Sequence, residues 1–236
     1  LPLNHAFQEG AEIIVDLKQY IIYRCVVGSQ AYSLAEAGSD IDRRGFFVPP
    51  VDLHWSLAGV PEQIVDNANQ ECYWEVQKFL ILALKGNPTI LECLYTPLVE
   101  TTTPLAHELL AMRHIFLSRR IYDTYNGYVQ SQFTKLAQYH HTRGEIRWKH
   151  AMHLIRLLLV GVTALREGYI PVQVDEHRDQ LLAIRHGQTP WDAVDAWRLT
   201  LHQQLDAAFA QTSLPENPDY AQADAFLIKA RRSMVN

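Results

Sequence analysis

The stretch YRCVVGSQAYSLAEAGSDIDRRGFFVPP, residues 23–50, decides how this chain is read. It begins inside YIIYRCVV (20–27), a continuous apolar and β-branched run with the pattern of a buried strand, which stops at Gly28. It ends in DIDRRGFFV (40–48), a second strand closed by Pro49-Pro50. Residues i and i+2 of a strand share a face, so Asp40 and Asp42 are expected to project together while Ile41 enters the core. Two carboxylates that close repel each other unless a cation lies between them, and such oxygen pairs suit Mg²⁺ or Mn²⁺. A purely structural reading competes: an Asx-type turn at Gly38-Ser39-Asp40, with Asp42 pairing to Arg43 or Arg44. Upstream, Gly28 permits close backbone approach, exposed amides after it can cradle phosphate, and Ser29 adds a hydroxyl.

Outward from this stretch, EQIVDN (62–67) and NQECYWE (69–75) read as further strands or one bent strand. WEVQKFLILALKG (74–86) has helical periodicity and ends at Gly86, and PTILECLY starts with a proline suited to a first helical turn. Beyond Pro104 the pattern turns helical, over 104–117, 119–139, 144–167, 176–186, 190–210 and 218–234, with YIPVQV (169–174) the only strand-like interruption. The expectation is an α+β chain: a small mixed-sheet domain over 1–105 followed by an α-helical domain over 106–236.

Of the 236 residues, 48% are apolar, which fits a globular chain with a sizeable core. No apolar run approaches the ~20 residues of a membrane helix. The opening LPLNHAFQEG lacks the basic and apolar regions of a signal peptide. Cys25, Cys72 and Cys93 lack CxxC spacing, which points away from a disulfide framework or a cysteine zinc site. A cytoplasmic setting without a membrane partner is the expectation. Charge is segregated: residues 1–112 carry 6 Lys/Arg against 14 Asp/Glu, residues 113–166 carry 9 against 2, and residues 167–236 carry 6 against 10. A basic middle facing an acidic site would suit a metal-bound polyphosphate or nucleic acid; a solvated basic helix surface reads equally well.

The order strand, Gly-Ser, then Asp-x-Asp on the next strand, in VVGSQAY…GSDIDRRGFF, resembles the nucleotide-binding motif of the DNA polymerase β-type nucleotidyltransferases. With EVQKFLILALKGNPTILECLY and KHAMHLIRLL, the chain resembles the RNA repair pathway DNA polymerase beta family. The resemblance implies that Asp40 and Asp42 hold divalent metal, Mg²⁺ or Mn²⁺, and that Gly28, Ser29 and Ser39 bind nucleotide. A third acid on a neighbouring strand normally completes such a site. Glu71 is the first choice and Asp66 the alternative, while Glu75 is read as a cap for the helix that follows. The activity implied is transfer of a nucleoside monophosphate from an NTP to a hydroxyl, with an RNA end as acceptor or, alternatively, a protein hydroxyl. A non-catalytic RNA- or nucleotide-binding module on the same fold is the rival reading.

In RWKHAMHLIRLLLV, Lys149, His153 and Arg156 fall at i, i+4 and i+7 on one helix face. The resemblance includes a His-x-x-Arg pair, here His153 and Arg156, and the role expected of this face, Lys149 included, is gripping phosphates or the acceptor across the cleft. The alternative is a core histidine beside an arginine paired with an acid such as Glu92.

Overall fold

The computed structural model describes residues 16–235, so the opening LPLNHAFQEG segment lies outside the described residues. The chain forms β1 (Ile21–Val27), a single helical turn α1 (Gly28–Ala31), β2 (Asp42–Phe47), the short α2 (Val51–Trp55), β3 (Gln63–Asp66) and β4 (Glu71–Glu75). Helices α3 (Val76–Leu84) and α4 (Pro88–Tyr95) follow, then β5 (Val99–Thr102) and α5 (Pro104–Ala111). The remainder is helical: α6 (Arg120–Arg143), α7 (Trp148–Glu167), α8 (Arg178–Arg185), α9 (Trp191–Gln211) and α10 (Tyr220–Arg232). An α+β fold, with a mixed sheet ahead of a helical half, is what the chain adopts.

The five strands lie in the order β3-β4-β2-β1-β5. All neighbours run antiparallel except β2 and β4, which are parallel and therefore require a crossover connection. Along β2, Asp42, Arg44 and Phe46 face one way and Arg43, Gly45 and Phe47 the other. Phe46 packs against Phe79 of α3 with the rings tilted at 40° and 4.8 Å between centroids, which places α3 over the Asp42 face. Gly45 is required where it stands, because a Cβ there would lie 1.9 Å from the Tyr23 carbonyl oxygen of β1.

Helix ends follow local chemistry. The Glu75 carboxylate accepts from the Gln77 amide at 2.8 Å and caps α3, and Asn87 caps α4 ahead of Pro88. Gly86, Gly144 and Gly168 stop α3, α6 and α7.

Two expectations need correction, and one strand was not anticipated. β2 begins at Asp42, so Asp40 and Ile41 precede the strand, and Ile41 is 44% exposed rather than in the core. YIPVQV is no strand: Ile170, Val172 and Val174 are buried by alternation, but the segment runs as an extended strap whose Val174 N–H donates to the Tyr32 carbonyl. β5, reading VETT, is a polar edge strand without the apolar signature of the inner strands.

The sheet and the helical half share one continuous buried cluster that runs from Tyr23 to Ala230. The last helix returns to the start: Arg231 of α10 donates to Gln77 of α3 at 2.7 Å, and the Val51 amide meets the Met234 carbonyl.

Candidate active site

β1 delivers Gly28 at its end, with φ of 72°, a left-handed conformation that favours glycine. Val27 is the cross-strand partner of Asp42, so the Gly28 turn and the start of β2 meet. A Cβ on residue 28 would stand 2.6 Å from Asp42 Oδ2; the absent side chain is the cradle in which that carboxylate oxygen lies. The loop that follows is closed by Ser39, whose hydroxyl accepts from the Glu36 amide at 2.9 Å and whose carbonyl accepts from Gln30.

Beside the Gly28 turn, the loop at 36–42 lines a cavity of about 220 Å³. Ser29, Ser39, Asp40 and Asp42 come together there with Glu36, and Lys149 and Arg185 reach in from the helical half. Five of the residues anticipated from the sequence thus share one cavity, although Asp40 reaches it from the turn rather than from a strand. Lys149 sits in the first turn of α7. Arg185 was not singled out by the sequence. It ends α8, donates to the Leu34 carbonyl at 2.9 Å and lies 3.3 Å from Glu36, which His186 also meets at 2.9 Å. Arg178, at the other end of α8, donates to the Ser33 carbonyl at 2.8 Å, so the helix is pinned to the loop bearing the acids.

Glu71 stands apart. The parallel register pairs it with Arg43, not Asp42, and paired residues share a face. Glu71 therefore points away from the cavity, toward Lys18 at 3.9 Å. Asp66, its cross-strand neighbour, is on the same face, and the Lys18 ammonium 2.8 Å away, with help from Asn69, holds its carboxyl down at about 2. Neither candidate for a third acid is brought to Asp42, and the reason is the one-residue parity of the strand.

His153 and Arg156 are likewise directed elsewhere. Arg156 is completely buried, donates to Glu92 at 2.8 Å and lies 3.6 Å from the centre of the Tyr32 ring, whose hydroxyl also donates to Glu92. His153 approaches Arg156 at 3.4 Å; burial, then Arg156, then His150 push its pKa down to about 3, so the imidazole is neutral near pH 7. A neutral ring and a guanidinium already spent on Glu92 do not form a phosphate-gripping wall. The basic middle as a whole is dispersed: Arg119 lies 3.5 Å from Glu216, Arg120 donates to Asn217, and Arg113 covers the Tyr95 ring. A larger cavity of about 400 Å³ lies between Lys85, Arg119, Arg120 and Phe209, and it holds none of the acids anticipated from the sequence.

The oxygen donors at the cavity are the Asp40 and Asp42 carboxylates with the Ser29 and Ser39 hydroxyls nearby; the third carboxylate there, Glu36, is paired with Arg185 and His186, and Asp42 Oδ1 lies 3.3 Å from Arg44. The acid pair fits a small hard cation that takes one or two protein carboxylates and completes its shell with phosphate and water. Among the described residues no three His, Cys, Asp or Glu side chains gather to hold a metal ion unaided.

Comparison with curated proteins and with solved structures finds no match. The profile of the RNA repair pathway DNA polymerase beta family matches residues 5–229, nearly the whole length, and the chain belongs to that family.

Proposed function

We propose that this chain is a metal-dependent nucleotidyltransferase that moves a nucleoside monophosphate from an NTP to a hydroxyl on an RNA end and releases pyrophosphate. The observation that carries the reading is the close approach of the Gly28 turn to Asp42, whose carboxylate shares a cavity with Ser29 and Asp40, an arrangement that suits a phosphate and a cation. The family's association with RNA repair supports RNA as the acceptor.

Gly28 and Ser29 bind the terminal phosphates, and Ser39 holds the turn that presents Asp40. Lys149 and Arg185 offset phosphate charge from the opposite side. Mg²⁺ or Mn²⁺, held by Asp40 and Asp42, would supply activation of the acceptor hydroxyl and neutralisation of the phosphates. The cavity is smaller than the roughly 300–1,000 Å³ of a whole-ligand cleft, so it takes the polar end of the nucleotide and leaves the base outside. Positioning and charge neutralisation supply most of the catalysis in such a transfer.

A second reading has an observation in its favour. With Glu71 turned to the other face, the site has an acid pair and no acid from β4, which suits a module that binds nucleotide or RNA without turnover. Incubation with each α-labelled NTP, Mg²⁺ or Mn²⁺, and pooled RNA and protein acceptors separates the readings. Label in RNA supports the proposal, and label in protein moves it to a protein hydroxyl. Nucleotide binding with no label in either polymer establishes the binding module.

A further inference from the structure

Arg44 lies two residues along β2 from Asp42, on the same face. One of its terminal nitrogens is 3.3 Å from Asp42 Oδ1. The other donates to the carbonyls of Arg43 and Gln70, at 2.8 Å each. These contacts hold the planar guanidinium in one place, and its side chain is only 22% exposed. An ordinary surface ion pair has no such tether and must order two long side chains for a small gain.

The tether comes from the strand that would otherwise supply a further acid. Gln70 precedes β4, and its carbonyl accepts the Arg43 amide, which places it across from Asp42. Its backbone is left-handed, with φ of 56°, and its side-chain amide turns back to the Asn67 carbonyl. Asp42 therefore has Gly28 against Oδ2 and a fixed positive charge against Oδ1.

We propose that Arg44 is a built-in counter-ion of the acid pair, which keeps a divalent cation from settling on Asp42 until the anionic phosphates of a nucleotide arrive with it. The inference rests on the metal-dependent reading above. A cation brought alone to Oδ1 meets a guanidinium that cannot lose its charge and is bonded in place. A nucleotide polyphosphate supplies the negative charge that lets both cations share the site. Loading of metal and nucleotide is then coupled, and the acid pair is silent without nucleotide.

The test is a direct Mn²⁺ titration, following free Mn²⁺ by electron paramagnetic resonance. It uses the whole chain as wild type, Arg44→Gln, Arg44→Lys and Asp42→Asn, each with and without a non-hydrolysable ATP analogue. Without nucleotide, Arg44→Gln is expected to bind Mn²⁺ about tenfold tighter than wild type or better, because the repelling charge is gone. Arg44→Lys keeps the charge and is expected to stay near wild type; with nucleotide the gap between wild type and Arg44→Gln closes. If Arg44→Gln binds Mn²⁺ no tighter than wild type while Asp42→Asn loses it, the counter-ion role is overturned and the metal reading stands. If Arg44→Lys behaves as Arg44→Gln does, the guanidinium fork and not the charge matters, and the proposal is overturned. If no form binds Mn²⁺ with or without nucleotide, the metal reading and the inference fall together.

Discussion

A methyl group at position 28 would press on Asp42 Oδ2 and would have to adopt a left-handed backbone. Gly28→Ala is expected to cost about 1–3 kcal/mol from the backbone alone and to weaken nucleotide binding, checked by thermal melting and a nucleotide titration. On the proposed reading, Asp42→Asn should keep the melting temperature and remove transfer of label from an NTP, because the carboxylate is partly exposed and its charge would be needed by the ligand rather than by the core. Arg156 predicts the opposite pattern. Its loss leaves the buried Glu92 carboxylate with the Tyr32 hydroxyl but no counter-charge, so Arg156→Ala should cost about 3–5 kcal/mol. Arg119→Ala, at a half-exposed pair, should cost about 1 kcal/mol or less. Chemical denaturation of the two variants side by side is the measurement. His153 adds a pH dependence: its folded pKa is about 3 against an ordinary value of 6.5. The unfolded chain takes up a proton as pH falls below 6.5 while the folded chain does not, so this group's contribution to stability is lost progressively down to about pH 3. His153→Gln should flatten that part of a stability-against-pH curve.

At the scale of elements, the inner strands and the helices were legible because burial writes itself as an unbroken apolar run or as periodicity. YIIYRCVV and the helices after Pro104 carry that signal plainly, and β5 does not, since an edge strand with a polar face has no buried period to display. The acid pair and the Gly-Ser turn were legible as a local motif. Glu71 was misplaced because its facing depends on the register of β4 against β2, a contact between segments nearly 30 residues apart that no single-strand pattern encodes. Arg156 was seen on the correct helix, but its partner Glu92 is 64 residues away, and only packing decides between phosphate and carboxylate. Arg185 had no sequence signal, being one arginine on an amphipathic helix; α8 matters because both of its ends are bonded to the loop at 33–36. Arg185→Ala should weaken nucleotide binding about tenfold, the loss of one charged hydrogen bond, which calorimetric titration would read.

For the whole molecule, the segregation of charge along the sequence does not become two facing walls. Most of the basic middle is consumed in separate pairs with acids, amides and aromatic rings, and Lys149 alone of the proposed stripe reaches the acid cavity. The sheet and the helices are joined by one buried cluster, and Tyr32, Glu92 and Arg156 tie the turn after α1 to α4 and α7. The return of α10 to α3 has a consequence for how the protein is made. The residues of the candidate site all lie at or before Arg185, yet Ala223, Phe226 and Ala230 of α10 belong to the same core. Contacts between chain ends this distant in sequence form late and slowly. During synthesis from the N-terminus, the half that carries Gly28 and Asp42 waits, with part of its core uncovered, for more than 40 further residues to leave the ribosome. A messenger that stops short of α10 would thus yield every residue of the site with part of its supporting core missing.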